Sequence, residues 1–206
     1  MKLYNSMGPN PRIVRMFLAE KGLDIDKVEV DIMSGENRKP PYNQSVNRTG
    51  QCPALELDDG AIITEVTAIC DYIEELNPEP ALFGSNALER ATSRMWNRRI
   101  DLNISEYLAS GFRYSVGKQI FEGRMRLIPH AADDLIALGN DGLNWLDAEI
   151  EGRNYISGND FRMPDILLFS WLDFLATVGQ ELNPELKNVN AWFKRVQERP
   201  SAADSA

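Results

Sequence analysis

The chain of 206 residues holds only two cysteines and one histidine, and these shortages exclude much chemistry. Cys52 and Cys70 fall in separate predicted elements and form no C-x-x-C pair, so a disulfide framework is not expected. A zinc centre needs three or four convergent ligands, and His130 stands alone; no metal site is expected. A Ser-His-Asp hydrolase would have to use that same histidine, and the G-x-S-x-G elbow that presents the serine is missing. Neither phosphate-cradling loop, G-x-x-x-x-G-K-[ST] or G-x-G-x-x-G, occurs. Positive charge is also short: 22 Lys+Arg face 31 Asp+Glu, a net charge of −9. Nucleic acid and an anionic membrane surface both require a basic face and are disfavoured as partners. No apolar run approaches the ~20 residues of a membrane span. Met1-Lys2-Leu3-Tyr4-Asn5 enters a strand-like pattern without a signal-peptide core, so a soluble, cytoplasmic protein is the expectation.

What is present is periodicity. Apolar residues make up 43% and charged residues 26%, an ordinary balance for a chain with real cores. Lys2–Asn5 predicts a strand, and Ser6–Pro11 is rich enough in Pro and Gly to predict a turn. From Arg12 a helix is predicted, with Ile13, Val14, Phe17 and Leu18 on one stripe and Gly22 as its C-terminal cap. Lys27–Ile32 alternates with period two, predicting a second strand and a right-handed parallel βαβ unit. Residues 33–52 are polar and broken by Pro40 and Pro41, leaving room for a short irregular helix at most. Ala54–Leu57 and Ala61–Ile63 flank Asp58-Asp59-Gly60 and predict a hairpin. Glu65–Leu76 predicts a helix with Thr64 as N-cap. Asn77–Gly84, with two prolines and a glycine, is the clear break. Beyond it no strand pattern occurs. Helices are predicted over Asn86–Tyr114, with Asn86 and Glu89 as a capping pair, over Pro129–Glu151 with a bend at Gly139 or Gly142, and over Pro164–Val178, apolar nearly all round. A last one, Pro184–Arg199, is stopped by Pro200. The domains are read as 1–77 and 86–206, with 78–85 as linker.

Four segments carry more than architecture. In chain order they are Asn47-Arg48-Thr49-Gly50-Gln51-Cys52-Pro53-Ala54-Leu55; Leu57-Asp58-Asp59-Gly60 followed by Ile63-Thr64-Glu65-Val66-Thr67-Ala68-Ile69; Gly158–Asp165 (GNDFRMPD); and Ala191–Ser201 (AWFKRVQERPS). The first three resemble the N-P-x-G-x-V-P-x-L, E-S-x-A-I and G-x-x-F-[ST]-x-A-D patterns of the glutathione transferase superfamily, and the fourth its usual ending. The resemblance implies an α/β thioredoxin-like N-terminal domain plus an all-α C-terminal helical domain. It also implies a homodimeric detoxification enzyme that takes glutathione as co-substrate, ionises its thiol, and conjugates it to a small hydrophobic electrophile.

Site residues follow from the same resemblance. Pro53, in cis, would present the backbone N–H and C=O of Cys52 to the cysteinyl part of glutathione. Glu65 would hold the α-amino group, and the helix start at Val66 the α-carboxylate; Val66 stands where the family carries serine. Lys39 and Gln51, with Arg38, would face the glycyl carboxylate. The serine that activates the thiol in many relatives is Gly8 here. Asn10 is the candidate donor in its place, with helix capping as its alternative role; Ser6 comes second and Tyr4 third. Met7, Tyr107, Phe112 and Tyr114 are candidates for an electrophile pocket between the domains. Cys70 is expected in the core, Cys52 in the family's valine position, and Asp165 as the cap of the buried helix, although Arg162 replaces its Ser/Thr partner. Two rival functions stay open: a glutathione-dependent disulfide reductase or peroxidase, and a non-catalytic glutathione-binding interaction module.

Overall fold

The alternation of Lys2–Asn5 buries Leu3 and Asn5 and leaves Lys2 and Tyr4 half-buried, the signature of a strand with one face in the core. In the computed structural model, which describes residues 1–206, this is β1. With β2 (Asp26–Glu29), β3 (Ala54–Glu56) and β4 (Ile62–Thr64) it forms one sheet in the order β2-β1-β3-β4. β1 is parallel to β2 and antiparallel to β3, which is antiparallel to β4. β2 is an exposed edge strand and ends before the predicted Ile32. The Asp31 carboxylate accepts the N–H groups of Met33 and Ser34, at 2.9 and 3.0 Å, and turns the chain off the sheet.

Helix α1 (Pro9–Lys21) makes the crossover and sets Ile13, Val14 and Phe17, all 0% exposed, against the sheet-side core. It starts at Pro9 rather than Arg12, because proline at the first helical position has the helical φ and needs no N–H partner. Gly22 closes it at φ 64°, as predicted. Helix α2 (Val66–Leu76) follows β4 directly; Thr64 is a strand residue, and Glu65 takes the cap position instead. Lys21 and Glu74 pair at 2.5 Å in the core, and the Lys21 ammonium also donates to the carbonyls of Asn77 and Pro80. The ends of α1 and α2 and the segment after α2 are thereby tied at one buried charge.

The helical part begins with α3 (Ala87–Ile100) and α4 (Glu106–Tyr114), joined by a wide turn at Asp101–Ser105 in which the Glu106 N–H reaches the Asp101 carbonyl. Asn86 caps α3, accepting the Glu89 N–H at 3.0 Å, while the Glu89 carboxylate takes the Ser85 N–H. The short α5 (Lys118–Phe121) precedes α6 (Ala132–Glu149), α7 (Met163–Thr177) and α8 (Lys187–Gln197). α6 is continuous through Gly139 and Gly142. A Cβ on Gly142 would collide with the Asn103 carbonyl, so this glycine serves close helix approach and not a bend. α7 is buried nearly all round, with Ile166 and Leu168 at 0% exposure.

Asp165, fully buried in the first turn of α7, accepts N–H groups from Ile156 and Arg162, each at 2.9 Å, and from the Trp192 indole at 2.7 Å. The Arg162 carbonyl takes the Asp165 N–H at 3.0 Å. The missing Ser/Thr cap thus leaves the carboxylate half of the device in place. The Arg162 guanidinium turns outward to Glu89 and Asp160, 3.1 Å from each.

Contacts divide the chain into two units, Met1–Ala81 with Pro200–Ala206, and Leu82–Arg199. Sequence reading assigns Pro200 the role of a stop. It is instead the first residue of α9 (Pro200–Asp204), which packs on α1. Arg12 donates to the Ala202 carbonyl at 3.0 Å, and the Ser201 hydroxyl bonds Glu20. Residues 200–206 therefore belong with the α/β unit and differ in this from the expected helical domain over 86–206. No helix is long and apolar enough to cross a membrane.

Candidate active site

Sheet register brings the N-terminal candidates to one end. Tyr4 pairs with Ala54, and Ala54 with Thr64. The segments that follow β1, precede β3 and follow β4 therefore leave the sheet side by side: Asn5–Asn10, Gln51–Pro53 and Glu65–Val66.

In the first segment, Ser6 is 3% exposed and its hydroxyl donates to the Val30 carbonyl at 2.8 Å, so its one proton is committed. The Tyr4 hydroxyl likewise donates to Glu56 at 2.7 Å. Met7 is 61% exposed. Gly8 holds φ 100° and is the N-cap of α1. Backbone in that region disfavours any L side chain and suits glycine. Gly8→Ser is accordingly expected to cost about 1–2 kcal/mol of stability without improving thiol activation, as thermal denaturation and a pH-rate profile would read.

Asn10 lies inside the first turn of α1 and is not its cap, which corrects the capping alternative. The first three helical residues are Pro9, Asn10 and Pro11. Prolines carry no N–H, so of the donors that a helix start normally presents only the Asn10 N–H remains among these three. Its half-buried amide adds two more protons, and no hydrogen bond within the chain uses them.

In the second segment the Cys52–Pro53 peptide is cis. The Cys52 N–H and C=O have no partner among the hydrogen bonds of the chain. The thiol lies 3.2 Å from the Tyr42 hydroxyl, and burial pushes it above its ordinary value, the reverse of what a nucleophile needs. Cys70 is wholly buried on α2 and is raised for the same reason.

The loop before Cys52 is held by Tyr42, Asn47 and Asn37, which sequence reading missed, and by Arg38, a candidate for the glycyl carboxylate. Tyr42 and Asn47 donate to the Gln51 carbonyl at 2.7 and 3.0 Å, Asn37 to the Gly50 carbonyl at 2.6 Å, and Arg38 to the Thr49 carbonyl at 2.8 Å. These are side-chain-to-backbone bonds without periodicity, so only the abundance of Asn around the irregular segment hinted at them. They leave the Gln51 side chain exposed. Lys39 is exposed as well, its ammonium donating to the Ser34 carbonyl at 3.0 Å.

In the third segment Glu65 has φ 70°, the one non-glycine residue with positive φ. Its carboxylate is exposed and does not cap α2. Such a conformation persists only where the surroundings impose it, and it concentrates at ligand sites. The first-turn N–H groups of α2 follow directly.

Of the other candidates, Tyr107 and Tyr114 lie half-buried on α4 in the helical unit. Phe112, expected on a pocket wall, is 7% exposed with its ring edge-on to Phe121 and Phe174, a core position in that unit.

One end of the sheet thus offers a free backbone N–H and C=O pair, an anion-accepting helix start with a carboxylate beside it, and amide donors at a second helix start. Residues 3–81 match the family model described as Glutathione S-transferase, N-terminal domain, and residues 140–200 match Glutathione S-transferase, C-terminal domain. Glutathione S-transferase 2 of Saccharomyces cerevisiae is 32% identical over 201 residues, covering 94% of this chain and 84% of that protein. The crystal structure of Gtt2 from Saccharomyces cerevisiae matches with a TM-score of 0.93 at 32% identity, over 100% of both chains. Maleylacetoacetate isomerase of Pseudomonas aeruginosa is 42% identical over 83 residues, 39% of each chain. In fold, in domain matches and in full-length similarity, the chain belongs to the glutathione S-transferase family.

Proposed function

We propose that the protein binds glutathione on its α/β unit, ionises the thiol, and adds it to a small hydrophobic electrophile. The observation that carries this reading is the meeting of three complementary groups at one sheet end: the free Cys52 backbone, the Glu65 start of α2, and Asn10. The cysteinyl backbone of glutathione pairs with Cys52 as an added strand residue. Glu65 takes the α-amino group, and the N–H groups of Val66 and Thr67 take the α-carboxylate. Gln51 and Lys39 attend the glycyl carboxylate. The thiol then lies toward the start of α1.

A free thiol titrates near 8.5, and lowering it by two units needs about 2.7 kcal/mol in favour of the thiolate. Two hydrogen bonds to the anion, at about 1.5 kcal/mol or more each, meet that requirement with help from the helix dipole. Asn10 supplies both, from its N–H and its side-chain amide. An amide accepts no proton, so the thiol proton leaves to solvent. Exposed Met7 supplies apolar surface beside the turn. By the family pattern the working form is a cytoplasmic homodimer.

Glu65→Gln is expected to weaken glutathione binding about tenfold, the loss of one charge-assisted bond, with the pKa of the bound thiol little changed; calorimetric titration measures the first and absorbance the second. The similarity to maleylacetoacetate isomerase supports a second reading, in which the same thiolate adds to a conjugated substrate and leaves again. Turnover of an activated aromatic halide with glutathione consumed supports conjugation. Turnover of a conjugated diacid with glutathione conserved supports isomerisation, and turnover of small disulfides supports the reductase. Glutathione binding without any of these would overturn the enzymatic reading in favour of a binding module.

A further inference from the structure

Arg15 lies half-buried on α1, and its guanidinium joins two places far apart in sequence. On one side it donates to the Ser6 carbonyl at 3.0 Å and to the Asn5 side-chain oxygen at 2.9 Å. On the other, its Nε and second amino group both donate to the Ser205 carbonyl, at 3.1 and 2.9 Å. Asn5 in turn donates to Glu29 at 2.6 Å, and its carbonyl takes the Val30 N–H at 2.9 Å. The acceptor on the far side, the Ser205 carbonyl, lies just past the C-terminal end of α9, where unpaired carbonyls carry partial negative charge and favour a cation. A guanidinium has five donors in a fixed fork and serves several carbonyls at once, which an ammonium on a flexible stem does not match.

The reactive turn depends on this link. Ser6 is fixed twice, by its hydroxyl on Val30 and by its carbonyl on Arg15. After Ser6 the next tie is the Gly8 carbonyl, which takes the Arg12 N–H at 3.3 Å. Met7 and Gly8 bridge from this anchor to the first turn of α1, so the Asn10 amide is placed by α1 on one side and by Ser6 on the other. We infer that Arg15 is a positioning residue for the thiol-activating turn, and that α9 is the support that holds Arg15 in place. The consequence for the thiol rests on the reading under Proposed function; the consequence for the turn does not.

Three variants test this: Arg15→Gln, Arg15→Lys, and a chain shortened by residues 202–206. Hydrogen exchange is followed over residues 5–12, and bound glutathione is titrated in parallel. In Arg15→Gln, exchange at the Arg12 amide, which bonds the Gly8 carbonyl at 3.3 Å, is expected to quicken about tenfold with β3 and α7 unchanged, and the bound thiol pKa to rise by about one unit. Glutathione affinity changes less than about threefold, because its main contacts lie elsewhere. The shortened chain reproduces this pattern, and Arg15→Lys recovers part of it. Wild-type exchange at the turn in any folded Arg15→Gln or shortened chain would overturn the inference. Faster exchange with an unmoved thiol pKa would overturn its link to activation. A wild-type protein that leaves the thiol unshifted would overturn the proposed activity instead, and the exchange data would still decide the role of Arg15. Should Arg15→Gln fail to fold, the shortened chain and Arg15→Lys carry the same readouts.

Discussion

Asp165→Ala is expected to destabilise the helical unit by about 3–5 kcal/mol, the cost of breaking a buried charged network from one side. At the size of this chain that corresponds to a melting temperature lower by about 10 °C, which calorimetry would detect. Three N–H donors, from Ile156, Arg162 and the Trp192 indole, point at this carboxylate. They tie the loop before α7 to α7 itself and to α8, and alanine would leave all three buried without a partner. Asp165→Asn should fall between the two, since an amide accepts through one oxygen and turns donors toward the remaining N–H. Burial pushes the Asp165 carboxyl up to about 6 against the pull of those donors. Its unfolded value is about 3.9. Between these values the folded state holds a proton that the unfolded chain has released, so the contribution of this group to stability falls as pH rises from 4 to 6. Asp165→Asn should lack that slope, which denaturant titrations at pH 4.5 and 7 would compare.

Asn10→Ala should lower kcat/KM about 3- to 10-fold at pH 7, less than the ~10²–10³ seen when a sole preorganised donor to a developing anion is removed. The effect is partial because the Asn10 backbone N–H survives the substitution, and no other N–H stands in the Pro9-Asn10-Pro11 run. The loss should come with a bound thiol pKa raised by about one unit, so that raising the pH recovers most of the rate. Asn10→Asp should be worse, because a carboxylate beside the thiolate adds like-charge repulsion to the lost donor. A pH profile of kcat/KM for the three proteins separates these outcomes. A rate loss in Asn10→Ala that persists unchanged to high pH would mean that the residue shapes the turn and does not stabilise the thiolate.

Local pattern made much of the α/β unit legible. The alternation of Lys2–Asn5, the stripe of Ile13, Val14 and Phe17, the hairpin around Asp58-Asp59-Gly60 and the apolar run of α7 each stand in the structure within a few residues of where periodicity puts them. The cis Cys52–Pro53 bond also matches the reading taken from its surrounding motif. What stayed hidden depends on partners distant in sequence or on backbone angles. Pro200 looks the same whether it stops one helix or opens the next, and the choice is made by Arg12 and Arg15, whose guanidiniums bond carbonyls 190 residues away. The positive φ of Glu65 has no counterpart in composition. Phe112 is as apolar as a pocket wall would require, but apolarity alone does not say that its ring faces Phe121 and Phe174. The polar segment around Tyr42 reads as irregular because its order comes from side chains gripping backbone carbonyls.

The most direct test of the central claim is to titrate glutathione bound to the unmodified protein, following thiolate absorbance near ~240 nm. A bound thiol that titrates about two units below its free value of roughly 8.5 is the predicted result. Saturable binding with a pKa still near ~8.5 would contradict the account, because it would show a site that holds glutathione without activating it.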